Sequence, residues 1–427
     1  MEGYRPRILD LLLIKKLGSK GAVLIEGPKW CGKTTTASEF AKTQVYLANR
    51  VVRDNFKSLL DIDIEEALSG EPPVLFDEWQ TVPKLWDAVR YVVDARHSFG
   101  QFILTGSAVP DKEAEKDIEH SGTGRFAWLK MRPMTILESG DAEGGVSLRS
   151  LFEGSDKVLV KNHLSLKDIA FLICRGGWPM SIGLAPEIAL EQAIDYYEAV
   201  TKEDIVRVDG VKRAYARVER LMRAYARHQG TQVSIEGLKA DIKGNDSSDL
   251  DDKTISSYID ALKKIFVIED MEAWNPNLRS KTAVRSSDTR YFIDPSIATA
   301  SLGIGPEDLM RDLNTMGFLF ETLCARDLRV YAEALGGKVY HYRDKSGLEC
   351  DMVIHLRNGQ YGLIEVKIGG DGLISRGVET LNALADKIDT SKMKEPSFKM
   401  ILTAVGEYAY RRVEDGIYVV PIGCLGL

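Results

Sequence analysis

The run Gly27-Pro28-Lys29-Trp30-Cys31-Gly32-Lys33-Thr34 satisfies GxxxxGK[ST] at every position, and it sits between an apolar strand-like stretch (22–26, AVLIE) and a helix-forming one. No other feature narrows the possible folds as far. A glycine-rich turn from a buried strand into a helix aims several backbone N–H groups at one small volume, and the helix dipole adds positive potential there. In this reading Lys33 reaches the β- and γ-phosphates of a nucleotide and Thr34 ligates Mg²⁺. Gly27, Pro28, Lys29, Trp30, Cys31, Gly32 and Thr35 line the same site. The plainer alternative, a tight strand-to-helix turn and nothing more, leaves the lysine and threonine unexplained.

Two further apolar runs follow in α/β alternation. Val74-Leu75-Phe76 ends in the acid pair Asp77-Glu78, and Phe102-Ile103-Leu104 ends in Thr105-Gly106-Ser107. Strands alternating with helices predict a parallel sheet, whose strand C-termini converge on the ligand. Asp77 is then placed to hold Mg²⁺ and Glu78 to orient the attacking water, while Thr105 and Ser107 can sense the γ-phosphate; Ser107 can also cap a helix. A second acid after the metal-binding one implies hydrolysis of ATP, not binding alone.

Composition bounds the rest. A chain of 427 residues has room for about three domains. Its 56 basic and 63 acidic residues leave a net charge of -7, so any attraction to nucleic acid has to come from local patches. Five cysteines and six histidines fall into no zinc-ligand spacing. No apolar stretch approaches the ~18 residues of a membrane span, and no leader is visible at the N-terminus. The expectation is a cytoplasmic protein without membrane contact.

Residues 110–125 are polar and read as a helix plus a mobile loop, and 141–200 as mostly helical, punctuated by Gly176-Gly177-Trp178-Pro179. Farther on, Lys202, Arg207, Lys212, Arg213, Arg217, Arg220, Arg223 and Arg227 make a basic stripe on predicted helix, which suits phosphate tracking or simply a solvated face. Val233, Ile235, Leu238 and Ile242 form one apolar helix face, and Ile255, Tyr258, Ile259, Leu262 and Ile265 another. Thr254, Ser256, Ser257, Lys263 and Lys264 remain free to face solvent or DNA. Two strand-like runs flank a polar segment carrying Arg279, Lys281, Arg285 and Arg290, so three helices and a hairpin follow the order of a winged helix-turn-helix. The acids Asp246, Asp249, Asp251 and Asp252 before the last helix count against DNA.

Near the C-terminus Asp351 lies on one strand and Glu365-Val366-Lys367 on the next, after a helix carrying Glu321. This is the D…ExK pattern of the PD-(D/E)xK nuclease fold, in which carboxylates such as Asp351 and Glu365 hold Mg²⁺ and a lysine positions the hydrolytic water. The turn Arg357-Asn358-Gly359-Gln360 tests the reading. A two-residue Asn-Gly loop would pair Asp351 with Val366, on the wrong face, whereas a three-residue loop with a Gly359 bulge pairs it with Glu365 or Lys367. The bulged loop is expected, and Glu349 could add an acid to that face.

The runs GPKWCGKTTTA, VLFDE, FILTGS and GTGRFAWLKMRPMTILE resemble the AAA+ ATPases with a C-terminal DUF4143 domain, relatives of origin-recognition and STAND-type P-loop ATPases. The resemblance implies Arg125 as an arginine finger acting in trans, hence a homo-oligomer. It also implies that Gly176 to Met180 (GGWPM), with Pro179, serves the sensor-2 region of a lid. The expected architecture is α/β: an AAA+ P-loop core (1–140), a helical lid (141–200), a winged helix domain (201–300) and a PD-(D/E)xK nuclease-like domain (301–427). The expected activity is ATP hydrolysis with Mg²⁺ coupled to DNA binding, with phosphodiester cleavage by the last domain open. The alternative is a STAND-like nucleotide switch that binds a protein partner and whose nuclease-like domain is inactive.

Overall fold

The computed structural model describes residues 3–108, 118, 120–155, 158–207, 211, 213–246, 250–277, 279, 284 and 287–427. Lys212, Asp249, Lys281 and Arg285, and residues 110–117 and 119 of the polar loop, lie outside them. The chain divides into two compact units. One comprises 1–133, 199–213 and 258–267, the other 134–198, 214–257 and 268–427.

The first unit is a parallel α/β domain. Helix α1 (Ile8–Leu17) leads to β1 (Ala22–Glu26), α2 (Lys33–Phe40), β2 (Thr43–Tyr46), α3 (Arg50–Ile62), α4 (Ile64–Ala67), β3 (Val74–Asp77), α5 (Leu85–Arg96), β4 (Phe102–Gly106) and β5 (Phe126–Lys130). The strands lie in the order β2-β3-β4-β1-β5, every neighbouring pair parallel. β1, β3 and β4 are apolar on both faces because helices cover both, which is why they read as unbroken hydrophobic runs. One core layer gathers Leu24, Phe76, Phe102, Leu104, Trp79 and Trp86, and the opposite layer Leu13, Val23, Ile25, Leu75 and Ile103. The segment 199–213, with the π-helical turn Val200–Asp204 and α9 (Ile205–Arg207), also belongs to this unit.

The second unit begins with β6 (Val146–Ser147), α6 (Leu148–Phe152), β7 (Leu159–Lys161), α7 (Leu166–Arg175) and α8 (Pro186–Ala199). The helices α10 (Tyr215–Arg227), α11 (Ile235–Asp246) and α12 (Asp252–Lys264) follow, then α13 (Pro295–Leu302), α14 (Pro306–Arg311) and α15 (Leu313–Ala334). The chain ends through β8 (Gly337–Arg343), β9 (Glu349–Leu356), β10 (Tyr361–Lys367), α16 (Asp371–Lys387), β11 (Phe398–Thr403), β12 (Tyr408–Arg411), β13 (Tyr418–Pro421) and β14 (Leu425–Gly426). Its mixed sheet runs β7-β12-β13-β11-β10-β9-β8.

That topology corrects the expected boundaries. The stretch 141–200, read as a lid on the nucleotide domain, groups instead with the C-terminal sheet. β7 pairs antiparallel with β12, and β6 pairs parallel with β14. The stretch 201–300 is also not one body, because 199–213 and 258–267 group with the nucleotide domain. Within it the expected helix order is present, and bridges Ile268–Phe292 and Met271–Thr289 form the antiparallel pair that follows. Leu238, Ile242, Ile255, Ile259 and Leu262 are buried as the apolar faces require. Among the described residues no helix is long and apolar enough to cross a membrane.

Candidate functional site

Register places the nucleotide chemistry at one end of the first sheet. Asp77 at the end of β3 lies level with Thr105 on β4, and Glu26, the last residue before the glycine-rich loop, lies level with Gly106. The loop is held in backbone conformations that favour glycine, with φ of 155° at Gly27 and 99° at Gly32; Trp30 shares this region at 64° without being glycine. A non-glycine residue held there costs ~1–3 kcal/mol, and such residues cluster at functional sites.

Three of the expected side chains meet directly. The Thr34 and Thr105 hydroxyls each donate to Asp77 Oδ1 at 2.6 Å. The Thr105 hydroxyl also accepts the Glu78 N–H at 3.3 Å. Lys33 is buried and its Nζ donates to the Gly27 and Pro28 carbonyls at 2.9 and 2.7 Å, so the ammonium is poised inside the loop. Glu78 takes the left-handed conformation (φ 57°) and turns its carboxylate back over β4, where Ser107 Oγ donates to it at 2.9 Å and the Gln80 amide also bonds it. Hydroxyl and carboxylate are hard oxygen donors, so Thr34 and Asp77 fit Mg²⁺.

Three residues that the motif reading missed complete this site. Arg7 and Tyr4, ahead of α1, bond to the loop and to α2. Asp204, in the π-helical turn, pairs with Lys29 at 2.6 Å. Nothing in their local sequence marks them, since each acts through a partner distant in the chain.

Arg125 is placed elsewhere. It immediately precedes β5, whose first residue lies level with the first residue of β1, at the end of the sheet opposite the loop. Its guanidinium pairs with Asp94 at 2.7 and 3.2 Å on the surface. Within one chain it therefore cannot reach the phosphates.

The GGWPM element is occupied inside the second unit. Asp294 Oδ2 accepts the Gly177 N–H at 3.0 Å, Trp178 Nε1 donates to Ser296 Oγ at 2.9 Å, and the indole is fully buried against Tyr196. A Cβ at Gly177 would meet the Met134 carbonyl at 2.0 Å, so only glycine fits. Pro179 starts the short 3-10 turn that follows. These contacts account for the element as a packing motif.

In the second unit the hairpin behaves as the turn chemistry requires. The Leu356 N–H bonds to the Gln360 carbonyl at 2.8 Å, closing a three-residue loop with Gly359 at φ 82°. The register, Ile364 opposite Met352, sets Asp351 opposite Glu365. Lys367 Nζ bridges the two carboxylates, 3.2 Å from Asp351 Oδ2 and 2.6 Å from Glu365 Oε2, and the Val366 N–H donates to Asp351 Oδ2 at 2.8 Å. A cation thus already sits between the two acids. Glu321 on α15 is half-buried, and the Tyr291 hydroxyl bonds it. Desolvation and then the Asp351 charge push Glu321 well above the usual carboxylate range. Glu349 is not part of the cluster: it pairs across the strand with Arg343 at 2.9 Å. Among the described residues no three His, Cys, Asp or Glu side chains form a ready metal cage.

Burial, followed by the Asp351 charge, also raises Glu365 from 4.5 to about 8 against the pull of Lys367. The neutral acid is favoured in the fold. Its contribution to stability is therefore complete below pH 4.5 and lost as the pH rises through about 8. The thermal midpoint of Glu365→Gln minus that of wild type should become more positive between pH 5 and pH 9, read by calorimetry. A difference independent of pH would refute the assignment.

Several arginines of the basic stripe and of the polar segment beyond it are engaged by the fold. Arg213 is buried, with Nη1 on the Ile205 carbonyl at 2.8 Å, and Arg227 pairs with Asp241 at 2.6 Å. Arg290 pairs with Asp270 at 2.8 Å, and Arg279 Nη2 donates to Thr390 Oγ1 at 2.7 Å. Arg217 is exposed, and Arg223, also exposed, donates through Nε to the Ser301 carbonyl at 3.4 Å.

Comparison with known proteins matches three stretches of the chain to family models. Residues 19–139 match the AAA domain model, 166–308 a domain of unknown function (DUF8612), and 316–425 the domain of unknown function DUF4143. The uncharacterized proteins Rv2008c of Mycobacterium tuberculosis and Mb2031c of Mycobacterium bovis are each 24% identical over 366 residues, 85% of this chain and 74% of theirs. Among solved structures, the Walker-type ATPase PABY2304 of Pyrococcus abyssi matches with TM-score 0.42 and 13% identity over 70% of this chain and 96% of its own. Cdc6p of Pyrobaculum aerophilum matches with TM-score 0.22 and 14% identity over 71% and 97%. Toward its N-terminus the chain thus matches an AAA domain and toward its C-terminus a DUF4143 domain, the pairing that its motifs resemble.

Proposed function

We propose that the protein binds and hydrolyses ATP and uses its C-terminal half to engage DNA, with Asp351, Glu365 and Lys367 as a Mg²⁺-dependent phosphodiester-cleaving site. The observation that carries the ATPase half is the convergence of Thr34 and Thr105 on one carboxylate oxygen of Asp77, with Glu78 held beside them by Ser107. Bound Mg²⁺ supplies charge neutralisation at the β- and γ-phosphates. Lys33 leaves its two carbonyls for the phosphate oxygens, Thr34 and Asp77 hold the ion, and Glu78 orients the attacking water. Arg125 serves only across a subunit boundary, so in this reading full turnover needs a homo-oligomer.

The bridged pair Asp351–Lys367–Glu365 supports the nuclease half. One observation favours the rival, a nucleotide-dependent switch that binds a protein partner: Arg213 and Arg227 of the stripe, and Arg290 beyond it, are tied to groups of the fold. A panel of labelled linear, single-stranded and branched DNAs, with Mg²⁺ or Mn²⁺ and with or without ATP, decides between them. Wild type is expected to cut and Asp351→Ala to lose ~10²-fold or more of that rate. Binding without cutting leaves a recognition platform. No binding at low salt sinks the DNA reading and promotes the switch.

A further inference from the structure

Resting on the P-loop as a nucleotide site, we infer that Arg7 is a positioning residue for phosphate binding: it staples the glycine-rich loop into its receptive shape from behind. Arg7 is 5% exposed although it lies only seven residues into the chain. Its Nη1 donates to the Cys31 carbonyl at 2.8 Å and its Nη2 to the Arg132 carbonyl, also at 2.8 Å. One guanidinium thereby ties the loop to the segment after β5.

The peptide plane supplies the mechanism. In a trans peptide the carbonyl of Cys31 and the N–H of Gly32 point in opposite directions. Holding that carbonyl on the Arg7 side turns the Gly32 N–H to the opposite side, where a phosphate oxygen needs a donor. The loop needs such a hold, because Gly27, Trp30 and Gly32 all take positive φ. Other contacts keep Arg7 in place. Asp10 accepts the Arg7 backbone N–H at 2.8 Å and the Tyr4 hydroxyl at 2.9 Å, and that hydroxyl lies 3.1 Å from Thr36 Oγ1 on α2. The start of α1 thus grips both ends of the loop-to-helix junction.

Lysine cannot replace this geometry. Its ammonium is a single point, whereas the two carbonyls are spanned by the planar fork of a guanidinium. Arg7→Lys in the full chain is expected to weaken binding of a fluorescent ATP analogue by about tenfold, with turnover at saturating ATP within about threefold of wild type. Hydrogen exchange across residues 27–36 should accelerate in the nucleotide-free protein. Leu13→Ala, which removes a fully buried side chain of the same helix, controls for stability. It should lower the thermal midpoint without that loss of affinity. Unchanged affinity and exchange in Arg7→Lys would overturn the inference, as would an equal loss of affinity in Leu13→Ala at matched stability. If wild type binds no nucleotide at all, the P-loop reading fails. The exchange arm then still judges the staple by itself.

Discussion

Glu78→Gln is expected to slow ATP turnover by ~10²–10⁴-fold, the usual contribution of a positioned general base, with ATP affinity nearly unchanged. The substitution is nearly isosteric, and an amide oxygen can still accept from Ser107, which donates to the carboxylate at 2.9 Å. The strained backbone at Glu78 (φ 57°) and the Thr34–Asp77–Thr105 hydroxyl chain are not touched. What is lost is the negative charge that draws a proton from water. Phosphate release against ATP concentration, paired with equilibrium binding of a fluorescent analogue, separates the two effects. A turnover drop with intact affinity places Glu78 at the chemical step. Turnover within a few-fold of wild type would remove it from that step.

The largest effect on stability is expected at Asp294, which bonds no ligand in any reading. It is fully buried and accepts from the Gly177 N–H, from the Ser296 N–H and hydroxyl, and from Arg326 Nη1 at 2.9 Å. Arg326 is itself buried and shared with Asp327, whose other oxygen accepts the Ile136 N–H at 3.0 Å. Asp327 is pushed up to about 6 by its burial, against the opposing pull of Arg326, so half of this acid pair already resists ionisation. Asp294→Ala would strand the Arg326 charge and the Gly177 N–H without water. Removing one partner of a buried pair costs ~3–5 kcal/mol, and the midpoint of the second unit's unfolding transition should fall by on the order of 10 °C. Asp294→Asn, which keeps the acceptor for Gly177 and loses the charge, should fall between. A loss under ~1 kcal/mol for the alanine variant would show that the network is solvated and not structural.

These two positions mark the divide between what could be read along the chain and what could not. Gly27 to Thr34 was legible because its function lies in consecutive backbone N–H groups, and Asp77-Glu78 because an acid pair at the end of a buried strand has only one neighbourhood in a parallel sheet. Even the face of Asp351 was legible, since the Asn358-Gly359 turn sets the hairpin register and the register sets the face. Each of these depends on a periodicity or a turn within a few residues.

Tertiary structure alone decided the rest. The lid was misplaced because Leu159–Lys161 finds its pairing partner at Tyr408–Tyr410, and no local pattern encodes a strand so far away in the chain. The arginines of the stripe look alike in sequence, yet Arg213 and Arg227 are buried or paired while Arg217 faces solvent, according to which carbonyl or carboxylate folds against them. Arg7 and Arg125 show the same asymmetry. One arginine near the terminus closes on the nucleotide loop, and the other, which has a motif around it, lies at the far end of the sheet. Backbone geometry and strand polarity are local and so are written in the sequence; the partner of a long charged side chain is set by packing, and only the folded chain supplies it.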